Sequence, residues 1–387
     1  MNASPELIDF SLSEEQAMIR DVAHDFLAEH SDSAAVRAAM DSEIGFDSTL
    51  WTRIGQELGW CGIAIAEADG GLGLSRVALA LLLEQMGRRL LCSPFFATVC
   101  LGATLLQESA AVDSGAAAKA TASSFLPRIA SGELTATLAL DDGTGATLEA
   151  KAEPADGGFR LSGEWRHVPD GAHAELLLLP ARLPDGALGL FAIEGTPAGL
   201  SRTSLRNLDL TRRVAAVSAT DVHVDGSACV AQGDAAVRAL SRTRALAGLA
   251  LAAEQVGGAQ QCLDLTVAYV AERKQFGRTI ASFQAVKHRC AEMMVRVEAA
   301  RSAVYGAFHA AAGGLDDEAL TLDAACARTF ASDAFVFCAR EAIQLHGGVG
   351  FTWEYDPHLY FKRAQAGSQW FGDASLQREH VAHALLG

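Results

Sequence analysis

The sequence predicts a mainly α-helical protein with a central β domain, and three observations support this fold class. Apolar residues recur at helical spacing over residues 1–125. Short strand-like runs separated by Gly and Asp turns fill residues 126–232. Long helical stretches almost free of proline fill residues 233–387. We therefore expect an N-terminal helical domain, a β-barrel or β-sandwich, and a C-terminal four-helix bundle, with boundaries at these residues.

The N-terminal domain is predicted to begin with a capped helix. Ser11 and Glu14 have the spacing of a capping box, with Ser11 as the N-cap and Glu14 at the third helical position. After the glycine-rich break at residues 69–73, a second helix is expected to start near Ser75. The alanine-rich run 110–124 predicts a further helix or a helix with a loose linker.

The middle domain is predicted from its change to strand composition. Runs of aliphatic and β-branched residues cover 135–140, 175–179, 188–193 and 214–224. Turns such as Asp156-Gly157-Gly158 separate them. This pattern is typical of a small antiparallel barrel or sandwich.

The C-terminal domain is predicted to consist of long helices. Helical spacing without turn signals continues over residues 234–274, 281–312 and 315–345. Helices of this length usually belong to bundles that bury most of their faces, often against other subunits.

Composition and charge exclude several classes of protein. With 47 acidic and 31 basic residues the formal net charge is −16, which disfavours nucleic acid and anionic membranes as partners. Residues 1–10 lack a secretory signal and no apolar run reaches a membrane-spanning length, so we expect a cytoplasmic protein. The eight cysteines form no C-x-x-C pair, so no metal site is expected and they are interpreted as small buried apolar residues.

The first candidate site is a basic segment, residues 272–280, which interrupts two long helices. A guanidinium such as that of Arg273 can bind phosphate in a bidentate manner, and Phe276 could stack on an aromatic base. The alternative interpretation is a charged helix turn with a buried apolar staple.

The second candidate site is the glycine-rich segment 344–351. Glycines at 347, 348 and 350 would let the backbone approach a ligand and present its N–H groups to phosphate. The alternative is a glycine-rich helix stop. His346 within this segment could be either a packing residue or a functional one.

Taken together, these segments resemble the motifs of the acyl-CoA dehydrogenase family, and the order of domains matches that family over nearly the whole chain. The matching motifs are Arg273-x-x-Phe276-Gly277, Phe283-Gln284, Gln344-x-x-Gly347-Gly348-x-Gly350-Phe351, Glu67-x-x-Gly70-Gly71-x-Gly73 and Leu126-Pro127-x-x-Ala130-Ser131-Gly132-Glu133-Leu134. The resemblance implies α,β-dehydrogenation of an acyl-CoA ester by a tetramer that binds FAD and passes electrons to an electron-transfer flavoprotein.

The resemblance also implies which residues contact FAD. In that family the cofactor lies across a subunit interface, with the isoalloxazine on one protomer and the pyrophosphate and adenine contacted by its neighbour. The residues that match the neighbour's contribution are Arg273, Phe276, Gln284, Gln344, Gly347 and Gly348. All six are of the residue type that the family's motifs require.

The catalytic base of the family has no counterpart at either of its usual positions. One position, 24 residues after the first Gly of the Gly-Gly pair, is Phe371 in this chain. The other, 26 residues before the motif arginine, is Ala247. Neither side chain can accept a proton, and the arginine that usually follows the second position is replaced by Gly248.

The flavin-facing segments of the middle domain are altered as well. The family's Thr-Glu-Pro motif corresponds to Asp141-Asp142-Gly143, and its Trp-Ile-Thr segment to His167-Val168-Pro169. The adenine-side residues are thus kept and the isoalloxazine side is degraded. The chain resembles the base-lacking subunits of bacterial heteromeric dehydrogenases that shorten steroid side chains. The leading hypothesis is a subunit that supplies adenine-side contacts to a paralogous partner.

Three alternatives are consistent with the same residues. A self-sufficient homotetramer could use a displaced base, either Asp373, which could instead cap a helix, or Glu254, which could instead be a structural carboxylate. A flavin-dependent oxidase or monooxygenase on the same fold could dispense with the usual glutamate. A non-catalytic structural subunit would bind no flavin, although the intact Arg273 and Gln344 motifs argue against it.

Overall fold

A computed structural model gives the fold of residues 11–112, 116–140 and 148–386, and the predicted fold class is confirmed. The α-helices are α1 (Glu14–His30), α2 (Ser33–Asp41), α3 (Ser48–Thr52), α4 (Arg76–Arg88), α5 (Thr104–Val112), α6 (Ala116–Ala130), α7 (Gly233–Glu272), α8 (Gln284–Ala312), α9 (Asp317–His346), α10 (Pro357–Gly367) and α11 (Ala374–Leu386). The strands are β1 (Ala136–Leu138), β2 (Lys151–Ala155), β3 (Gly158–Pro169), β4 (Leu176–Arg182), β5 (Leu188–Glu194), β6 (Leu200–Ser204), β7 (Val214–Asp225), β8 (Cys229–Gln232), β9 (Lys274–Gln275) and β10 (Arg278–Thr279).

The first helix has a capping box, but not at the predicted residues. Ser13, rather than Ser11, is the N-cap of α1, and its side chain accepts a hydrogen bond from the backbone N–H of Gln16. The Gln16 side chain accepts in return from the N–H of Ser13. The prediction was wrong because two serines precede the helix and either has an acidic or amide side chain three residues later.

The N-terminal domain is anchored to the C-terminal domain where α4 crosses α7. Glycines stand at the contact on both helices. A Cβ atom at Gly87 would lie 1.9 Å from the Glu254 carbonyl oxygen, and one at Gly257 would lie 1.8 Å from that of Glu84. Only glycine lets the two backbones approach this closely. The helical region continues beyond residue 125, because α6 extends to Ala130.

The middle domain is one eight-stranded sheet with the order β6-β7-β3-β2-β4-β5-β8, in which β1 pairs only with β4. Most pairs are antiparallel, as the turn pattern predicted, but β4 runs parallel to β1 and to β2. The long strands β3 and β7 pair along their length, with irregularities at Leu161/Gly163 and Trp165/Val168. The second irregularity lies just before the end of β3, where the chain enters the candidate flavin region.

The C-terminal domain is built around α7, which is 40 residues long. This helix packs against α4, α8 and α9, while α10 and α11 pack against α9. Every residue of α7 from 245 to 259 is buried. Among the described helices, none combines the length and apolar composition that crossing a bilayer requires. The described residues also contain no group of three or more His, Cys, Asp or Glu side chains arranged to hold a metal ion.

Two candidate half-sites

The basic segment 272–280 forms a hairpin at the end of α7. The N–H of Arg273 donates to the Tyr269 carbonyl oxygen. The N–H of Ile280 donates to the Arg273 carbonyl oxygen at 2.8 Å. Strands β9 and β10 pair between these two bonds, with Phe276 and Gly277 at the tip. Both tip residues have positive φ angles, 51° and 74°. A phenylalanine in this conformation is uncommon, which indicates that the tip is shaped for more than chain reversal.

The tip of the hairpin presents an aromatic ring to solvent. Phe276 is 91% exposed, so it is not the buried staple of the alternative interpretation. Its ring lies edge-on to Phe283 with 6.1 Å between centroids. The Arg278 guanidinium lies 4.1 Å above the Phe283 ring and holds it in place. An aromatic ring left this exposed is suited to stacking on a ligand or a neighbouring chain.

The glycine-rich segment forms a turn at the end of α9, and the backbone requires glycine at some of its positions but not at others. Gly347 ends the helix with φ +64° and its N–H donates to the Gln344 carbonyl oxygen. A Cβ atom at Gly350 would lie 2.8 Å from the Ile343 carbonyl oxygen. By contrast, a Cβ atom at Gly348 would meet no atom within 4 Å. The helix-stop interpretation therefore explains Gly347 and Gly350 but not Gly348.

Stacked aromatic rings bring the two segments to the same end of the bundle. Tyr269, one turn before the end of α7, stacks on His346, the last residue of α9, at 4.3 Å and 21°. Tyr355 lies edge-on to both rings at 6.0 Å. His346 Nδ1 is 2.6 Å from the Ala342 carbonyl oxygen, and burial lowers the pKa of the imidazole. These contacts favour the packing role for His346, which links the two segments.

We call this end of the bundle the open half-site; its residues are Arg273, Phe276, Gln284, Gln344, Gly347 and Gly348. All six are exposed. Gln284 begins α8, so the positive end of a helix dipole points to the same region. The exposed cations Lys274, Arg278 and Lys287 add positive charge locally, although the chain as a whole is acidic. These features fit the pyrophosphate and adenine of FAD.

The positions of the family's base are closed by an aromatic cluster, which consists of Phe96, Trp370 and Phe371. The rings of Phe96 and Phe371 stack with 6.3 Å between centroids, and Trp370 lies 5.8 Å from Phe96. Phe371 is 7% exposed and has φ +59°. Ala247, the other base position, is fully buried on α7. The described residues at these positions provide no proton acceptor.

An arginine that the sequence did not single out completes this closed region. The Arg212 guanidinium lies 4.7 Å from the ring centroids of both Phe96 and Trp370. Its Nη2 atom donates to Glu254 Oε2 at 2.5 Å. Cation–π contacts and a buried ion pair together hold the cluster shut. No sequence signal indicated this arrangement, because its members come from three different domains.

Glu254 is a fixed anion in this closed region. Its Oε1 atom accepts from Arg363 Nη1 at 2.6 Å, and Arg363 also pairs with Asp209 at 2.8 Å. Burial opposes ionisation, but the adjacent Arg212 and Arg363 guanidinium groups hold the pKa of Glu254 below its ordinary value. Both oxygens are occupied, which favours the structural role that the sequence left open. Its assignment as a catalytic base stays a prediction that these contacts do not support.

Asp373 lies at the start of α11. Its side chain is exposed, and Oδ1 accepts a hydrogen bond from the N–H of Leu376 at 2.9 Å. This is the contact of an N-cap residue, the alternative that the sequence offered for Asp373. Its assignment as a base likewise stays a prediction, and the capping contact favours the structural role.

Hydrogen bonds hold the altered flavin-facing segment, residues 167–169, and the aspartate that follows it. The Thr137 hydroxyl donates to the Pro169 carbonyl oxygen at 2.6 Å, and the N–H of Asp170 donates to that of Arg213 at 3.0 Å. His167 and Asp170 have φ angles of 56° and 50°. Proline at 169 also removes a backbone donor from this segment. The second altered motif, residues 141–143, lies outside the described residues.

Asp170 is a carboxylate of this region that the sequence interpretation missed. Burial raises its pKa to about 7, although the Arg212, Arg363 and Arg213 guanidinium groups act in the opposite direction. A pKa near neutrality in a strained segment is a common property of functional carboxylates. The signal was present in the sequence, since Asp170 directly follows the altered His-Val-Pro segment.

Replacement of Asp170 by asparagine is expected to change the pH dependence of stability. Because the folded chain binds the Asp170 proton more tightly than the unfolded chain, the free energy of unfolding declines as pH rises from about 4 to about 7. Asp170→Asn removes this decline. Urea unfolding should show that the variant gains about 1–3 kcal/mol of stability relative to the parent between pH 4.5 and pH 8. An unchanged difference between the two pH values would contradict the raised pKa.

Comparisons with known proteins agree with this geometry. Residues 13–133 match the model of the acyl-CoA dehydrogenase N-terminal domain, and residues 234–386 match that of the C-terminal domain. The chain is 33% identical over 362 residues to the acyl-CoA dehydrogenase IpdE2 of Mycobacterium tuberculosis, with 92% of each chain covered.

Solved structures give the same result. The steroid ACAD Tcur3481–Tcur3483 is 31% identical, with a TM-score of 0.84 over 97% of this chain and 98% of that one. The ChsE4–ChsE5 complex from Mycobacterium tuberculosis is 26% identical, with a TM-score of 0.86 over 98% and 99% of the two chains. This chain therefore belongs to the acyl-CoA dehydrogenase family, whose members are flavoprotein oxidoreductases that act on CH–CH groups.

Proposed function

We propose that this chain supplies the adenine-side half of an FAD site in a heteromeric acyl-CoA dehydrogenase. A base-bearing paralogous subunit would supply the isoalloxazine side and the proton acceptor. The carrying observation is the asymmetry between the two regions of this chain: the open half-site is exposed, whereas the base positions are covered by the aromatic cluster.

Features of the open half-site support FAD binding across an interface. Arg273 is placed to pair with a pyrophosphate, and Phe276 is placed to stack on an adenine. Gly348 leaves the backbone accessible where a side chain would have filled the space. FAD, when bound, supplies the hydride acceptor for α,β-dehydrogenation of the acyl-CoA ester. The residues of this chain bind and orient it.

Features of the closed region argue against a complete active site within this chain. Phe371 stands where a carboxylate would remove the substrate α-proton, and it stacks on Phe96. The Arg328 side chain lies across Gly248, with Cγ 3.4 Å from the position that a Cβ atom would take. This packing leaves no proton acceptor at the base positions, which supports a role for this chain on the adenine side alone.

The nature of the relatives supports a substrate class and an acceptor. Similarity to a steroid ACAD and to the ChsE4–ChsE5 complex supports a steroid-derived or comparably bulky acyl-CoA ester and a complex of unlike subunits. We propose an electron-transfer flavoprotein as the electron acceptor, as the resemblance to the family implies.

The proposal predicts that Arg273→Ala weakens flavin retention without affecting the fold. The variant is produced together with a base-bearing paralogue from the same genome, and flavin is measured by absorbance during dilution. Loss of a charge-assisted contact to phosphate, of about 1.5–3 kcal/mol, corresponds to roughly 10- to 100-fold weaker binding. Arg160→Ala, which removes a 50% exposed side chain on β3, is the matched control. Equal flavin retention in both variants would refute the assignment of Arg273.

A self-sufficient enzyme is the second candidate, and Asp170 is the observation that favours it. Its pKa of about 7 suits a general base better than the paired Glu254 or the capping Asp373. If this chain alone reduces flavin with an acyl-CoA ester and Asp170→Asn abolishes that reduction, the heteromer proposal fails. We expect the chain alone to show no such reduction.

A further inference from the structure

Two large aromatic side chains are exposed in the short segment that follows the glycine turn. Phe351 is 67% exposed and Trp353 is 59% exposed. A single exposed ring is ordinary, whereas two within three residues, beside a ligand-binding region, indicate an interaction surface. The next aromatic residue, Tyr355, instead packs edge-on to Tyr269 and His346 at the end of the bundle. The exposed pair therefore lies beside the open half-site.

The segment is held in place from the N-terminal domain. The Arg37 guanidinium of α2 donates to Asp356 Oδ1 at 2.7 Å, and the Ser33 hydroxyl donates to the same oxygen at 2.7 Å. On its other side Trp353 packs edge-on to His358, which is 4% exposed, with 4.8 Å between the ring centroids. The Trp353 ring is thus presented by a fixed backbone, which lowers the entropic cost of burying it against another chain.

Positive charge lies next to the Trp353 ring. The Arg37 guanidinium is 5.5 Å from the ring centroid, and the Lys362 ammonium is 4.9 Å from it. Arg37 is paired with Asp356, but no carboxylate in the described part of the chain forms an ion pair with Lys362. A tryptophan beside an available cation is complementary to a protein surface that offers apolar contact and a carboxylate. Tryptophan is also among the residues that most often dominate the binding energy of an interface.

We propose that Phe351, Trp353 and Lys362, here called the docking patch, bind the base-bearing paralogous subunit. The open half-site contacts only the adenine end of FAD, so the subunit that holds the isoalloxazine must lie against the same end of the bundle. Only two residues separate Gly348 from Phe351, so the docking patch continues the open half-site. A second copy of this chain fits less well, because its isoalloxazine side is closed. This inference rests on the proposed function and adds to it the surface that holds the partner.

The test is analytical ultracentrifugation of the full chain mixed with the paralogue in the presence of FAD. We expect Trp353→Ala to weaken association roughly tenfold or more, as the loss of a large interface side chain implies. Trp353→Phe keeps a ring and should weaken association less. Lys362→Glu should also weaken association roughly tenfold or more, because it places a negative charge where the partner offers a carboxylate.

Two controls separate the docking patch from effects on folding. Val237→Ala truncates a 53% exposed apolar residue near the start of α7 and should leave association unchanged. Its distance from the end of that helix is roughly 50 Å at a rise of 1.5 Å per residue. Melting temperatures report on the fold of every variant. If Trp353→Ala lowers the melting temperature, Phe351→Ser, which removes the more exposed ring, takes its place and should weaken association as well.

The outcomes distinguish failure of this inference from failure of the proposed function. If the parent binds the paralogue and FAD, and the docking-patch variants associate as tightly as the parent, the docking patch is refuted while the proposed function stands. If the chain alone forms a dimer that Trp353→Ala dissociates, a second copy occupies the patch and the inference is overturned. If the parent does not associate with the paralogue, both fall.

Discussion

Gly348→Val is expected to abolish flavin retention by the assembled dehydrogenase while leaving the chain folded. A Cβ atom at this position meets no atom of the chain within 4 Å, so a larger side chain causes no internal clash. Its backbone φ is also outside the left-handed region. The added methyl groups instead fill the space through which a ligand would approach the backbone. We expect at least 100-fold weaker flavin binding, equivalent to about 2.7 kcal/mol or more.

Graded and matched variants make this result interpretable. Gly348→Ala should have a smaller effect on flavin retention, because it adds one carbon rather than three. Ala120→Val adds comparable bulk at an exposed position of α6 and should leave flavin content unchanged. Melting temperatures report on folding in all three. Full flavin retention by Gly348→Val would show that the glycine turn does not contact the cofactor.

Glu254→Leu is expected to lower the free energy of unfolding by about 3–5 kcal/mol, because it leaves two buried guanidinium groups without their shared carboxylate. Arg212 and Arg363 both donate to Glu254, and their side chains are only 10% and 4% exposed. Loss of this anion should also loosen the aromatic cluster that Arg212 contacts. Urea unfolding followed by circular dichroism at pH 7 measures the change.

The pH dependence provides an internal check on Glu254. Its pKa is lower in the folded chain than the ordinary value, so its contribution to stability is present at neutral pH and is lost as pH falls below about 4. Glu254→Gln should lack this part of the acid sensitivity. Glu57→Gln, which removes the exposed partner of Arg53, should cost less than about 1 kcal/mol. A similarly small loss for Glu254→Leu would mean that the buried network is not needed for stability.

The fold could be predicted where local periodicity determines it. The three long helices were predicted to within three residues at each end, because apolar spacing continues through them and turn residues separate them. The sheet was harder. Strands β2, β3, β6 and β8 were not predicted, and the parallel pairing of β1 with β4 depends on contacts between distant segments. Such pairings leave no periodic signal in either strand.

The candidate sites differ in the same way. The open half-site could be proposed from sequence because its residues lie in three short motifs that resemble those of the family. Ring stacking of Tyr269 on His346 brings the segments that carry these motifs together. The closed region could be recognised only as a loss of the base. Phe96 of the N-terminal domain and Arg212 of the middle domain pack together in this region. No local sequence pattern predicts a contact between residues of different domains. The raised pKa of Asp170 could not be predicted either, because it results from burial, and the sequence does not show how deeply this residue is buried.

Flavin stoichiometry tests the central claim most directly. The chain is purified alone and together with a base-bearing paralogue, and FAD per chain is determined by absorbance and native mass spectrometry. The heteromer proposal predicts little or no FAD on the chain alone and one FAD for each pair of unlike chains in the complex. A stable homotetramer of this chain that carries one reducible FAD per subunit would contradict it.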